Sequence, residues 1–305
     1  MSQHLRSAFL LSALALVPSL SSAQALVGRD ESVYSWRGPL APRALLTVRN
    51  VNGPIEVRAS NSASVELRAE KRPSHGGKVT DVAFDVQTSS NGDVTICSTF
   101  HEQNPCDRDS HRSRDDGDDD RRSVSVAMTL LVPRGAQVRL VTGNGAVSVE
   151  QVGVDLQATT GNGRVLVAGT DGPVRITTGN GDVEVRDARA SVRVTTGNGR
   201  VMVTTAEGPV EARSGNGDID VRMTALRARE DMAFHTGSGA VRVTLPAGYN
   251  GELDASTGNG EIRSDFDLRI DGRLDPRRVR ATIGSGGPRL RLSTGNGRLE
   301  LHKAN

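Results

Sequence analysis

The tripeptide Gly-Asn-Gly begins at Gly143, Gly161, Gly179, Gly197 and Gly215, an unbroken spacing of 18 residues. It returns at Gly258 and Gly295, with Gly-Ser-Gly variants at Gly237 and Gly284. Self-similarity at a fixed period marks a chain that stacks one small unit on the next. In the unit Val174–Val185, apolar residues alternate with polar ones on both sides of the turn, the period of half-buried strands. Gly163, Gly172, Gly181, Gly199 and Gly208 fall on a nine-residue grid, so each unit holds two strands and two turns. One turn is Gly-Asn-Gly; the other is Asp171-Gly172-Pro173 or Glu207-Gly208-Pro209. This predicts an all-β fold, a parallel β-solenoid of 18-residue coils with irregular capping strands. The alternative is a meander of hairpins, because Asn-Gly between alternating apolar residues is also a hairpin signal. The added glycine and the strict grid favour the coil.

Stacking the coils in register makes each column readable. Val147, Val165, Val183, Val201 and Ile219 align, as do Val149, Val167, Val185, Val203 and Val221; both columns are predicted to face the core. Thr142, Thr160, Thr178, Thr196 and Ser214 stack beside the turn, where their hydroxyls would satisfy turn backbone groups. Asn144, Asn162, Asn180, Asn198 and Asn216 are predicted to form a structural amide ladder, with Asn tolerating positive φ at the turn. The outward column Arg164, Asp182, Arg200, Asp218 alternates in sign, as neighbours about 4.8 Å apart prefer. Arg175 and Arg193 break that rule as adjacent like charges.

The predicted organisation has four parts. Residues 1–25 read as a signal peptide: His4 and Arg6, the apolar run Ala8–Val17, then small residues ending in Ala23-Gln24-Ala25. Residues 26–135 form an N-terminal β-strand region with a charged loop at 98–122. Residues 136–222 are the regular repeats. Residues 223–305 are irregular repeats and a cap, with the insertion Met223–Met232 interrupting the grid. Val51–Val57 and Ser90–Ile96 are degenerate copies of turn plus strand. A longer unit occurs twice, Leu131–Gly135 leading to Thr142 and Leu245–Gly248 leading to Thr257. Trp36 and Tyr34 are candidate plugs for an open end. No later stretch is apolar enough to span a membrane, so the mature chain is expected outside the cytoplasm: periplasmic, on the outer surface or secreted.

Composition narrows the partners. Lys+Arg 38 against Asp+Glu 36 gives a net charge of +2, without the basic excess of a nucleic-acid binder. Aromatic residues are 3%, which also argues against sites that stack bases or sugars. The only two cysteines, Cys97 and Cys106, sit at the base of the charged loop, and in an exported chain they are expected to form a disulfide. With His101 and His111 they also form a possible zinc set, but the spacing matches no metal motif. The Asp115–Asp120 cluster lacks the ligand spacing of a calcium loop. Enzymes on β-helices need convergent carboxylates. Asp182, Glu184, Asp218 and Asp220 share a face, but arginines interleave them. His235 and His302 have no Ser or Cys nearby in the pattern of a nucleophilic triad. No catalytic, metal or cofactor-binding residue is expected.

Leu131-Val-Pro-Arg-Gly135, Val138-Arg-Leu140 and Thr-Gly-Asn-Gly followed by a short alternating strand resemble a bacterial β-strand-repeat family of candidate adhesins, of unknown function. The resemblance runs from about Leu45 to Leu301. It implies an exported, envelope-associated protein and supplies no catalytic residues; the charged loop with its two cysteines departs from the pattern. Together these readings point to a non-enzymatic scaffold or adhesin-like module that meets an envelope, surface or polymer partner. The alternative is a polysaccharide-active enzyme on a β-helix.

Overall fold

The computed structural model describes residues 26–304 except 75, 101–105, 107–122, 206, 224, 227–229 and 271–274. The signal-peptide segment, His101, His111 and the Asp115–Asp120 cluster lie outside the described residues. Alternation of the kind seen in Val174–Val185 produces a repeating pair of strands joined at the Gly-Asn-Gly corner. The pairs are β8 (Gln137–Asn144) with β9 (Val147–Glu150), β10 (Asp155–Asn162) with β11 (Val165–Thr170), and β12 (Val174–Asn180) with β13 (Val183–Ala188). They continue as β14 (Val192–Asn198) with β15 (Val201–Thr205), β16 (Val210–Asn216) with β17 (Ile219–Met223), and β18 (Met232–Ser238) with β19 (Val241–Pro246). The first member of each pair joins a 13-stranded sheet and the second a 12-stranded sheet, each parallel to its equivalent in the next coil. The fold is therefore a two-sided β-solenoid, as the repeat predicts, and not a hairpin meander.

The inner faces of the two sheets share one core. Val165, Val183, Val201 and Ile219 are at most 1% exposed, and so are Ile176 and Val194 on the other sheet. A flattened coil leaves room for little more than a β-branched side chain, which explains the valine richness. Each such side chain withdrawn from water stabilises by about 1.5–3 kcal/mol. The larger rings gather mainly at the ends. Tyr34 stacks on Phe84 at 4.7 Å and 12°, with Trp36 packed half-buried alongside the core; at the other end Tyr249 meets Phe266 edge-on at 6.4 Å.

Both ends depart from chain order. At the first, β2 (Leu45–Asn52) with β3 (Ile55–Ser60) stacks on β8 and β9, and β6 (Val94–Phe100) with β7 (Val124–Pro133) lies beyond them. At the second, β24 (Arg289–Asn296) with β25 (Leu299–Ala304) fits between the β18–β19 coil and the later-stacked, earlier-made β20 (Gly251–Asn259) with β21 (Ile262–Ser264). The longer unit noted twice in the sequence is the connection that steps over the intervening coil. Met128 and Val147 occupy one slot, yet Met128 is 14 positions before its Thr142 and Val147 is 13 before Thr160. Val241 is 16 before Thr257.

Antiparallel strands cap both sheets at the first end and the 13-stranded sheet at the second, where the 12-stranded sheet ends on β21. β4 (Ser64–Pro73) pairs with β7 and β1 (Val33–Pro39) with β4; β5 (Val82–Thr88) pairs with β6. β23 (Arg278–Ile283) pairs with β20, and β22 (Leu268–Ile270) with β23. Ser90–Ile96 corrects one expectation. It is no coil corner but the turn of an antiparallel hairpin, closed by Gly92 N–H on Ser89 O at 3.0 Å.

Candidate functional site

The coil corner is the most repeated local structure. Thr160 Oγ1 donates to Gly145 O at 3.0 Å, Thr196 to Gly181 O at 3.2 Å and Ser214 to Gly199 O at 3.1 Å, one coil back each time. Beside them the amides run in file. Nδ2 of Asn162 donates to Asn144 Oδ1 at 2.8 Å, Asn180 to Asn162 at 2.7 Å, Asn198 to Asn180 at 2.7 Å and Asn216 to Asn198 at 2.8 Å. The asparagines do not carry positive φ, contrary to expectation. That burden falls on the second glycine: Gly181 has φ +156°, and a Cβ there would stand 2.1 Å from Gly163 O. The corner thus needs glycine for backbone approach and asparagine for its amide.

Three of the carboxylates singled out in the sequence, Asp182, Asp218 and Glu184, are already occupied. Asp182 accepts the Arg200 backbone N–H at 2.9 Å and lies 3.6 Å from Arg164 Nη2. Asp218 accepts the Ala240 N–H at 2.8 Å and lies 3.5 Å from Arg242 Nη1. Glu184 accepts from Arg186 Nε at 2.7 Å. Asp220 stands on the same outer face as Glu184 with Met202 in register between them. Asp182 and Asp218 therefore tie the corner column to the backbone of the following coil.

Cys97 and Cys106 are joined as a disulfide, with Cα atoms 5.9 Å apart. Cys97 is fully buried on β6, in register with Arg49 and Asp85. Among the described residues no group of three or more His, Cys, Asp and Glu side chains converges on a common point.

Two arrangements escaped the sequence reading. His235 Nδ1 lies 2.8 Å from Ser293 Oγ, so a serine does stand beside that histidine. Both side chains occupy the slot just before the corner threonine, on adjacent strands, with Arg213 and Arg291 around a hollow of about 250 Å³. Their coils are neighbours only because β24 inserts next to β18, which chain order conceals. His302 Nδ1 is 3.0 Å from Asp265 Oδ2, and this hydrogen bond holds the Asp265 carboxyl below its ordinary range. The second arrangement is Lys71, which alternation along β4 places inward after Val65, Leu67 and Ala69. Its Nζ donates to the carbonyls of Gly28 at 2.6 Å, Arg29 at 2.9 Å, Val79 at 3.0 Å and Val82 at 2.5 Å. It also lies 5.6 Å from the Phe84 ring centre. Burial pushes its ammonium down to about 8, opposed by Asp30 and Glu31. Lys71 clasps the segment before β1 to the end of the stack.

The two outer faces differ in charge. Over the coils from β8–β9 to β18–β19 and β24–β25, the outward positions of the 13-stranded sheet carry Arg139, Arg175, Arg193, Arg213, Arg289 and Arg291 against Asp155 and Glu211. The same coils on the 12-stranded sheet carry Arg186, Arg222 and Arg242 against Glu150, Glu184, Asp187, Asp220 and Glu300. The adjacency of Arg175 and Arg193 is real, since the two are in register. Glu211 relieves one of them, lying 2.8 Å from Arg193 Nη2 and 2.9 Å from Arg213 Nη2.

No helix among the described residues is long and apolar enough to cross a membrane. Among curated proteins none matches the sequence. A candidate cell adhesion protein from Clostridium sporogenes aligns over 89% of this chain and 100% of its own, at 8% identity and a TM-score of 0.28. A candidate adhesin from Bacteroides fragilis aligns over 90% of this chain and 99% of its own, at 11% identity and a TM-score of 0.35. Likeness at that level bears on neither ligand nor activity. The profile of one family, Toastrack DUF4097, matches residues 46–302, almost the span from Leu45 to Leu301 over which the Thr-Gly-Asn-Gly units resemble the β-strand-repeat family, and it takes in the coils and most of the strands that cap them. The chain belongs to the Toastrack DUF4097 family.

Proposed function

We propose that this protein is an exported, non-enzymatic β-repeat scaffold, an adhesin-like module that presents a long β face to an envelope, surface or polymer partner. One observation carries the reading. The polar side chains of the stack are repeated slot by slot, and the acidic ones at the corner are spent on neighbouring coils, as Asp182 is on Arg200 N–H and Arg164. A catalytic centre needs one exceptional constellation, with a base free to act. A repeated surface whose corner acids are spent on neighbouring coils instead suits extended contact. Export rests on the Ala8–Val17 run and the Ala23-Gln24-Ala25 site. In this reading Asn144, Asn162, Asn180, Asn198 and Asn216 are structural, and so is the Cys97–Cys106 bridge.

Cell fractionation with N-terminal sequencing tests the proposal. The expected product starts near Gln24 or Leu26, lies outside the cytoplasm and is retained by the envelope fraction. A chain that starts at Met1 and stays in the cytoplasm overturns it. So does a glycan-cleaving activity that disappears with Asp182→Asn or Asp218→Asn.

A further inference from the structure

The face with the arginine excess also carries recesses. Three shallow hollows open along the 13-stranded sheet. One of about 240 Å³ runs along the strand starts past Arg175 and Arg193, with Asp155, Glu211 and Glu230 on its wall. One of about 250 Å³ holds Arg213, His235, Arg291 and Ser293, with no acid among its lining residues. One of about 470 Å³ follows past Arg280, Arg289 and Arg291, with Glu252 and Asp254 on its wall. The other face is closed by its own ion pairs, such as Arg58–Glu150, Arg186–Glu184 and Arg242–Glu300.

This face already displays how it holds a carboxylate. Glu211 lies between Arg193 and Arg213, taking one guanidinium nitrogen from each. In the coils before it, Gln157 stands between Arg139 and Arg175, so no acid fills the equivalent place. Strands about 4.8 Å apart set the strand of His235 roughly 14 Å across the sheet from that of Arg175, with His235 two residues further along it and Arg291 one strand further on. A linear chain with a carboxylate on each sugar, laid along the stack, offers charges at a comparable repeat. The scarcity of rings on this face leaves charge and hydroxyl contact, rather than stacking, as the means of holding sugars.

We propose that the outer face of the 13-stranded sheet is the contact surface of this protein and that it takes a linear carboxylated polysaccharide across Arg139, Arg175, Arg193, Arg213 and Arg291. This deepens the scaffold reading and rests on it for the meaning of the contact, though not for its measurement.

The test is binding of the exported chain to immobilised polygalacturonate at about 50 mM and about 300 mM salt. Its fully methyl-esterified form and polyphosphate serve as comparisons. Polygalacturonate should bind, release at the higher salt and lose binding on esterification. The double variant Arg175→Ala, Arg291→Ala should bind about tenfold more weakly with an unchanged melt. The control Arg58→Ala, Arg186→Ala removes the same charge from the opposite face and should bind as the parent does. Equal binding to the esterified polymer overturns the proposal, as does tighter binding to polyphosphate or equal weakening in the control. Should both double variants melt early, Arg175→Glu alone decides by the same readout. An envelope-retained protein indifferent to polygalacturonate overturns the ligand class and leaves the scaffold standing. A cytoplasmic protein that binds it does the reverse.

Discussion

Ser293 Oγ lies 2.8 Å from His235 Nδ1 although 58 residues separate them. The contact exists because β24 and β25 occupy the slot beside β18 and β19, with the earlier-made β20 and β21 displaced outward. The amide file follows the same order: Asn259 Nδ2 donates to Asn296 Oδ1 at 2.8 Å, so the residue further along the chain is nearer the middle of the stack.

Removal of Arg289–Ala304 should therefore do more than shorten the stack. It strips β18 and β19 of one neighbour and β20 and β21 of their parallel one. The expected product melts without a single sharp transition and binds a hydrophobic dye. Deletion of Val174–Ser191, one full coil, should leave a cooperative fold, because Pro173 then meets Val192 in the same register. The excision places Arg164 next to Arg200, a penalty of about 0.5 kcal/mol. Circular dichroism melts of the two deletions decide between these outcomes.

Asn180 and Gly181 should separate the two demands of the corner. Asn180→Val removes two amide hydrogen bonds without disturbing φ, and the expected loss is about 1–2 kcal/mol in urea unfolding. Gly181→Ala forces a Cβ against Gly163 O at positive φ and should lose about 3 kcal/mol or more. An unchanged midpoint for Asn180→Val would dismiss the amide file as a source of stability.

Lys71 predicts a pH dependence with a definite sign. Its ammonium titrates near 8 when folded and near its ordinary 10.5 when unfolded. Between those values the unfolded chain binds more protons, so stability rises as pH rises from about 8 toward 10.5. Urea midpoints at intervals across that range should show this increment in the parent and lose it in Lys71→Met. The same variant frees Gly28 and Arg29 from the clasp, so trypsin should cut after Arg29 faster than in the parent.

The Cys97–Cys106 bridge should survive as one linked peptide pair in mass mapping without reductant. Cys97→Ser with Cys106→Ser should lose about 2–3 kcal/mol, the chain-entropy value for a short loop. Two alkylatable thiols in the protein isolated without reductant would contradict the pairing.

The regular part of the fold was legible because within residues 136–222 chain order and spatial order coincide. Each residue's neighbour is then the one 18 positions away, and columns such as Thr160, Thr178 and Thr196 can be read directly. Beyond that span the arithmetic fails. The period gives the slot of Ser293 but not the coil it stands beside, and Ser90–Ile96 carries the corner residues on an antiparallel hairpin. Lys71 was visible in principle as a charge on the inward beat of Val65, Leu67 and Ala69. The carbonyls that receive it come from Gly28, Arg29, Val79 and Val82, which no periodicity connects.

The displaced coil also sets an order of events. A chain emerging from its first residue to its last can lay down β8 through β19 as each unit appears. It cannot close the far end then, because the place beside β18 and β19 belongs to strands still to come. Until they arrive, β18 and β19 expose an open rim, and β20 with β21 is held away from the coil it finally covers, or settles there wrongly and must withdraw. Residues 289–304 serve as a keystone: the chain has to be nearly complete before the structure locks, and one that stops short of them keeps an unfilled gap beside β18 and β19.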